Sequence, residues 1–221
     1  VELRGRLRLA APLSFGLHHL SGALNDFMHE HTGVELDLDL NDREVNLVEE
    51  GFDMAVRIGN LRDSTLIARR LGTVRFVTCA SPEYLARQGV PGHPDELIEH
   101  AGLHYANITP AEAWQFIGSG GEPVVAVPGI CMRANNGDVL ASAAAAGLGI
   151  VNTPTFIVSD LIACGKLVPI LPEHQRPPIG IHAVFPPGRL IARRVRVFAD
   201  YLAKRFGDLP YWDRKLRTRH G

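Results

Sequence analysis

The stretch RANNGDVLASAAAAGLGIV, Arg133 to Val151, decides how this chain is to be read. Asn135, Asn136, Gly137 and Asp138 gather where a strand gives way to a helix. The helix body is nearly all alanine, and Gly147 and Gly149 close it before an apolar strand. The first N–H groups of a helix lack intrahelical partners and carry the positive end of its dipole. Asn136 is the expected cap, Gly137 allows a tight approach, and Asp138 suits the first turn. Taken alone these are ordinary capping residues. The alanines predict a helix lying close on its sheet, with its N-terminus held in place.

Outward from this segment the same texture continues. A strand over Ile130 to Ala134 precedes it; a strand over Gly149 to Asn152, a helix from Pro154 to about Cys164 and a short strand around Leu167 to Ile170 follow. Near the start, Leu7 to Ala11 reads as a strand that stops at Pro12. Ser14 can cap a helix whose apolar positions are Leu17, Leu20, Leu24, Phe27 and Met28. ELDLDL, Glu35 to Leu40, alternates strictly, with Leu36, Leu38 and Leu40 inward and the carboxylates outward. Asn41 and Glu44 resemble a capping box for a helix carrying Val45, Val48 and Phe52, which Gly51 ends before the strand MAVRI. Strands alternating with helices predict parallel sheets covered on both faces.

An extended segment, Ile67 to Ala80, leads to a helix over SPEYLARQG with Ser81 as cap. The region from Pro91 to Pro128 is rich in Pro and Gly, and WQFIGSGGEPVVAV reads as a hairpin around Gly118 to Gly121. After RPPIG, IHAVF returns as a strand, and Ile191, Val195, Phe198, Leu202 and Phe206 mark the apolar face of a closing helix. The basic tail WDRKLRTRH lacks apolar periodicity after Trp212 and is expected to be a disordered extension. The expected architecture is α/β with two lobes: residues 1–79 plus 181–221 in one, 80–180 in the other. Two crossover strands, near Cys79 and near His182, join them and leave a crevice between.

Bulk composition excludes several function classes. With 46% hydrophobic residues among 221, the chain can bury a proper core. Its 23 basic and 24 acidic residues nearly cancel, so no global basic field advertises nucleic-acid or membrane binding. The acidic run from Asp26 to Asp53 and the basic run from Ile191 to Gly221 can attract each other or simply be solvated faces. Cys79, Cys131 and Cys164 lie far apart without CxxC spacing, as in a reduced cytoplasmic protein. His18, His19, His29 and His31 offer no metal-ligand spacing, and neither GxSxG nor a Walker loop is present. No metal, no cofactor and no enzymatic activity are expected, and no apolar run is long enough to span a membrane.

Polar groups recur at one topological edge, where open α/β sheets place their ligand sites. Ser14 and Phe15 follow the first strand, Asn41 the second, and Arg57 and Gly59 end the third. The planar fork of Arg57 can grip a ligand carboxylate, or it can hold Asp53 or Asp63.

In order and spacing, several stretches resemble the effector-binding region of LysR-type transcriptional regulators: GRLRLAAPLSFG (5–16), LVEEGFDMAVRIG (47–59), CASPEYLARQG (79–89), NNGDVLASAAAAGLGIV (135–151), LVPILP (167–172) and HAVFPP (182–187). The resemblance runs from about Leu3 to Phe206. It implies a two-lobed fold like the type 2 periplasmic binding proteins, a small anionic or polar effector in the crevice, and pairing into a homodimer, or a tetramer when full length. It also implies that DNA is bound only through a winged helix-turn-helix preceding the first strand. The sequence opens at that strand, so this piece is expected not to bind operator DNA by itself. Carried over by position, the ligand-binding candidates are Ser14, Phe15, Asn41, Arg57, Gly59, Asn135, Asn136, Asp138, Thr153 and Pro154. A solute-binding protein of the same fold is the alternative.

Overall fold

The computed structural model describes residues 2–59, 67–188, 190–207 and 209–217. In chain order the first strands and helices are β1 (Gly5–Ala11), α1 (Leu13–Phe15), α2 (Ser21–Glu30), β2 (Val34–Leu40), β3 (Met54–Ile58), β4 (Ile67–Val74), β5 (Phe76–Ala80), α3 (Pro82–Gln88) and β6 (Ala101–Tyr105). There follow α4 (Pro110–Ala113), β7 (Gln115–Ile117), β8 (Pro123–Val125), β9 (Gly129–Ala134), α5 (Gly137–Ala145), β10 (Ile150–Pro154), α6 (Thr155–Ala163), β11 (Val168–Ile170), β12 (Ile179–Phe185), α7 (Arg193–Phe206) and α8 (Tyr211–Arg217). Two compact units result. One comprises 1–74 and 179–211, the other 75–178 and 212–221.

The first unit is built on a five-stranded sheet ordered β2-β1-β3-β12-β4. β1 pairs in parallel with β2 and β3, as strand–helix alternation predicts, but β12 runs antiparallel to both β3 and β4. The sheet is therefore mixed rather than parallel, because β12 arrives from a distant part of the chain without a crossover helix. Helix α7 turns Val195, Phe198, Leu202 and Phe206 into the core, as its periodicity predicts, together with Ala199, while Ile191 lies before the helix and is half-buried. Phe198 meets Phe27 of α2 edge-to-face at 4.8 Å between centroids. Each large apolar side chain so buried stabilises the unit by about 1.5–3 kcal/mol. On β2 the leucines are only half-buried, as suits an edge strand. Between the acidic and basic runs, Arg205 pairs with Asp26 at 2.7 Å.

Two local expectations fail here. Ser14 does not cap the first helix; Pro12 holds that position, and the Leu13 N–H donates instead to the Asp42 carboxylate at 2.9 Å. The helix after β1 also passes through a π-helical segment, Gly16–Leu20, which leaves Leu17 exposed. Between Asn41 and Gly51 the chain forms turns, not a helix. Asn46 takes the Val48 and Glu49 N–H groups on its side-chain oxygen, which fixes a turn where a capping box was expected. Val48 is exposed, and Val45, Leu47 and Phe52 pack on Ala10, Ala55 and Val184.

The second unit carries a sheet ordered β11-β5-β10-β6-β9, in which β6, β9 and β10 are parallel and β5 runs against β10 and β11. Segment 67–80 is thus two strands in different sheets, broken at Arg75. Leu140, Ala141, Ala143 and Ala144 of α5 are buried with Val77, Leu103, Val151 and Val158, so the alanines do pack closely. The hairpin forms as β7 against β8, with Gln115 opposite Val125. Helix α3 has Ser81 as its cap, accepting the Tyr84 N–H at 3.1 Å.

Up to Arg217 the tail corrects the sequence reading, and Thr218 to His220 lie outside the described residues. Instead of an extension, the chain forms α8, with Trp212 only 1% exposed and packed edge-to-face on Phe156. The buried Asp213 carboxylate accepts the Thr155 hydroxyl proton at 2.6 Å. One tryptophan and one paired carboxylate anchor a segment too short to show periodicity.

Candidate functional site

In the first unit, the carboxyl ends of β1, β2 and β3 lie at one end of the sheet, because Ala11 is in register with Leu40 and Ala10 with Ala55. Ser14, Asn41, Arg57 and Gly59 follow or end these strands and share that edge. Ser14 is 4% exposed in the first turn of α1, whose N-terminus Asp42 secures. The Phe15 ring is fully buried against Phe206, 5.2 Å between centroids, so only its backbone remains to offer a ligand. Asn41 is turned into its own loop: its amide donates to Asp39 at 2.7 Å and its oxygen accepts the Arg43 N–H.

Among the described residues Arg57 has local partners. Its guanidinium donates to the Val45 carbonyl at 3.1 Å and pairs with Glu44 at 2.8 Å. Asp53 instead accepts the Arg8 N–H, and Asp63 lies outside the described residues. Gly59 has a φ of +146°, in a range that favours glycine, and donates its N–H to the Gly180 carbonyl at 3.0 Å. A Cβ at Gly59 would meet nothing within 4 Å, so the backbone there lies open.

In the second unit the carboxyl ends of β6, β9 and β10 likewise share an edge, with Tyr105 in register with Ala134. Asn136 is the N-cap of α5, its oxygen accepting the Val139 N–H at 3.1 Å, and Asp138 lies in the first turn. Asn135 beside it is exposed. A Cβ on Gly137 would come within 2.5 Å of Ile157, which explains glycine at the start of α5: it lets the helix opening sit hard against α6. Thr153 is buried at the end of β10, and Pro154 is the N-cap residue of α6.

The candidates therefore fall into two sets, one at each sheet's carboxyl edge. The positive end of a helix, hydroxyls and carboxamides can hold a small polar or anionic molecule by hydrogen bonds. Among the described residues no group of His, Cys, Asp and Glu is placed to hold a metal ion, and no helix is long and apolar enough to cross a membrane. Sequence reasoning missed Tyr105, whose hydroxyl accepts from Asn107 beside the helix opening, because the aperiodic segment around it gives no strand signal. It also missed His182 and Arg70, which stand next to Arg57 only through strand pairing.

Comparison with known proteins now decides the family, for the model of the LysR substrate binding domain matches residues 1–207. The chain belongs to that family. Its relatives are transcriptional regulators, not enzymes. This LysR substrate-binding domain is 35% identical over 198 residues to an uncharacterized HTH-type transcriptional regulator of Haemophilus influenzae, covering 88% of this chain and 67% of that protein. It is similar to the regulatory domain of CrgA, a LysR-type regulator from Neisseria meningitidis, with 33% identity, a TM-score of 0.81, and coverage of 93% of this chain and 100% of the other. It is also similar to AphB, a Vibrio cholerae virulence activator, at 29% identity and a TM-score of 0.78 over 92% of this chain and 69% of that one. The domain thus spans about two thirds of the length of its curated relatives.

Proposed function

We propose that this domain senses a small anionic or polar metabolite and passes its presence to DNA binding in an intact LysR-type regulator. In this reading the ligand-binding residues are Ser14, the Phe15 backbone, Asn41, Arg57, Gly59, Asn135, Asn136, Asp138, Thr153 and Pro154. The observation that carries it is the opening of α5, where Asn136 caps, Gly137 packs on Ile157 and Asp138 occupies the first turn of a nine-residue helix. The first N–H groups of such a helix are partnered only in part by the cap and favour negative charge. Signalling requires the effector to bind one state of the regulator more tightly than the other.

The domain acts in the cytoplasm and pairs with a second copy, β2 and α2 forming the pairing edge. A free-standing solute-binding role is the weaker reading, since the relatives carry HTH-type regulator names. A thermal-shift screen of metabolites identifies the effector, because any ligand of the native state raises the melting temperature. Calorimetry on Ser14→Ala and Asn136→Ala then tests the site. Each substitution weakens binding without unfolding the chain, and unchanged affinity in both removes the assignment.

A further inference from the structure

Three side chains stand abreast in the first unit. Arg57 on β3 and Arg70 on β4 are both register partners of His182 on β12, the strand between them. Directly opposed residues of neighbouring strands share a face with Cβ atoms about 4.5–5.5 Å apart. The register therefore sets an arginine position on each side of His182, the Arg70 one across an irregularity in the β12–β4 pairing, and of the two it is the Arg70 charge that acts on the imidazole. Gly180, on the same face, makes room for it: a Cβ there would come within 2.2 Å of the ring.

Among the described residues the row is short of negative charge. Arg57 pairs with Glu44, whose side chain is 78% exposed, and spends a second N–H on the Val45 carbonyl. Arg70 is exposed and donates to the Thr73 hydroxyl at 2.9 Å. Nδ1 of His182 is buried and has no hydrogen-bond partner among the described residues. Among the described residues the two cations and the imidazole with its unused nitrogen thus have one exposed carboxylate, Glu44, paired to Arg57. Planar guanidinium groups match carboxylate and oxyanion geometry, and hydrogen bonds to a full charge are about twice as strong as neutral ones.

We propose that Arg57, His182 and Arg70 form a row that recognises a carboxylate or comparable oxyanion on the effector, and that His182 takes up one proton from solvent as this anion binds. This rests on the effector-sensing reading above and gives the effector a chemical class and the site a dependence on pH. Among the described residues the charge that acts on His182 is Arg70, which is bonded to Thr73, while the other register partner, Arg57, is paired with Glu44. Burial and then the Arg70 charge hold the His182 imidazole below its ordinary value, so it is neutral near neutral pH. An anion beside Arg70 cancels part of that repulsion and favours the imidazolium. Both ring nitrogens then carry protons, and affinity rises as pH falls, by up to about tenfold per pH unit for a single coupled proton.

The test is calorimetry of the whole chain with succinate and, separately, sulfate, at about pH 6 and about pH 8, in two buffers of different ionisation enthalpy. The expected result is tighter binding at the lower pH with net proton uptake. Binding of succinate alone assigns the row to carboxylates; binding of both assigns it to oxyanions generally. Arg70→Gln, at an exposed position, weakens binding at least about tenfold. His182→Asn keeps binding at the higher pH but abolishes its pH dependence and the proton uptake. Thermal melts separate these effects from loss of folding. No binding of either probe at millimolar concentration, or unchanged affinity in Arg70→Gln, overturns the row. If a metabolite found by screening still depends on Ser14 and Asn136, the effector-sensing reading survives that failure.

Discussion

The Asp42 carboxylate accepts the Leu13 backbone N–H at 2.9 Å, so the loop after β2 caps the helix that follows β1. Segments 29 residues apart thereby fix the turn in which Ser14 sits. Removing a helix cap costs about 1 kcal/mol. Asp42→Ala is expected to lower the urea midpoint accordingly, with Asp42→Asn retaining most of the stability. Equal stability of wild type and Asp42→Ala would mean that the cap contributes nothing.

Trp212 anchors α8 through its ring on Phe156. Truncating a fully buried tryptophan costs about 3–5 kcal/mol. Trp212→Ala should lose stability on that scale and become sensitive to trypsin at Arg214. Removal of α8 without any change in melting temperature would restore the view of the tail as an appendage.

The three cysteines divide by environment. Cys79 is fully buried in β5 and burial pushes its thiol up to about 12, whereas Cys131 and Cys164 are exposed. The thiolate is the reactive form. A thiol reagent at neutral pH should modify Cys131 and Cys164 in the native chain and Cys79 only after denaturation. Modification of Cys79 at the same rate as the others contradicts the packing of β5.

Glu50 sits on Arg43 and also accepts the Asn46 N–H, and these contacts hold its carboxyl down at about 2 from 4.5. A carboxyl depressed by folding stabilises the native state above its unfolded value and loses that contribution as pH falls toward the folded value. The window is therefore between about 4.5 and about 2. The pair is exposed, so solvent screening keeps the effect small. Glu50→Gln should lower stability slightly at neutral pH and flatten the fall of the urea midpoint through that window. Identical pH profiles for wild type and variant would show the contact to be energetically silent.

Much of the fold was legible because local patterns and tertiary needs agree. The strand at ELDLDL, the cap at Ser81, the glycine-rich hairpin and the apolar face of α7 each appear where local pattern places them, although leucines and aspartates of that strand are half-buried alike. The Asn136 cap of α5 was legible too, since a helix start following a strand announces itself by residue type. The turns from Asn41 to Gly51 were misread. Asn46, by binding the N–H groups of Val48 and Glu49, competes with helix in a stretch whose apolar spacing fits either structure.

The sequence by itself determined that strands and helices alternate, that polar residues follow several strand ends, and that an alanine helix is pinned at its start. These depend on residues a few positions apart, whose side chains and backbone meet whatever the rest of the chain does. Only the tertiary structure decided that β12 enters the first sheet antiparallel, that Asp42 rather than Ser14 caps the first helix, and that Trp212 and Asp213 bind α8 to the second unit. It alone brought His182 between Arg57 and Arg70. Such contacts join residues tens to more than a hundred positions apart. Their loop-closure cost is met by burial and pairing that only the assembled fold provides, so no local pattern encodes them.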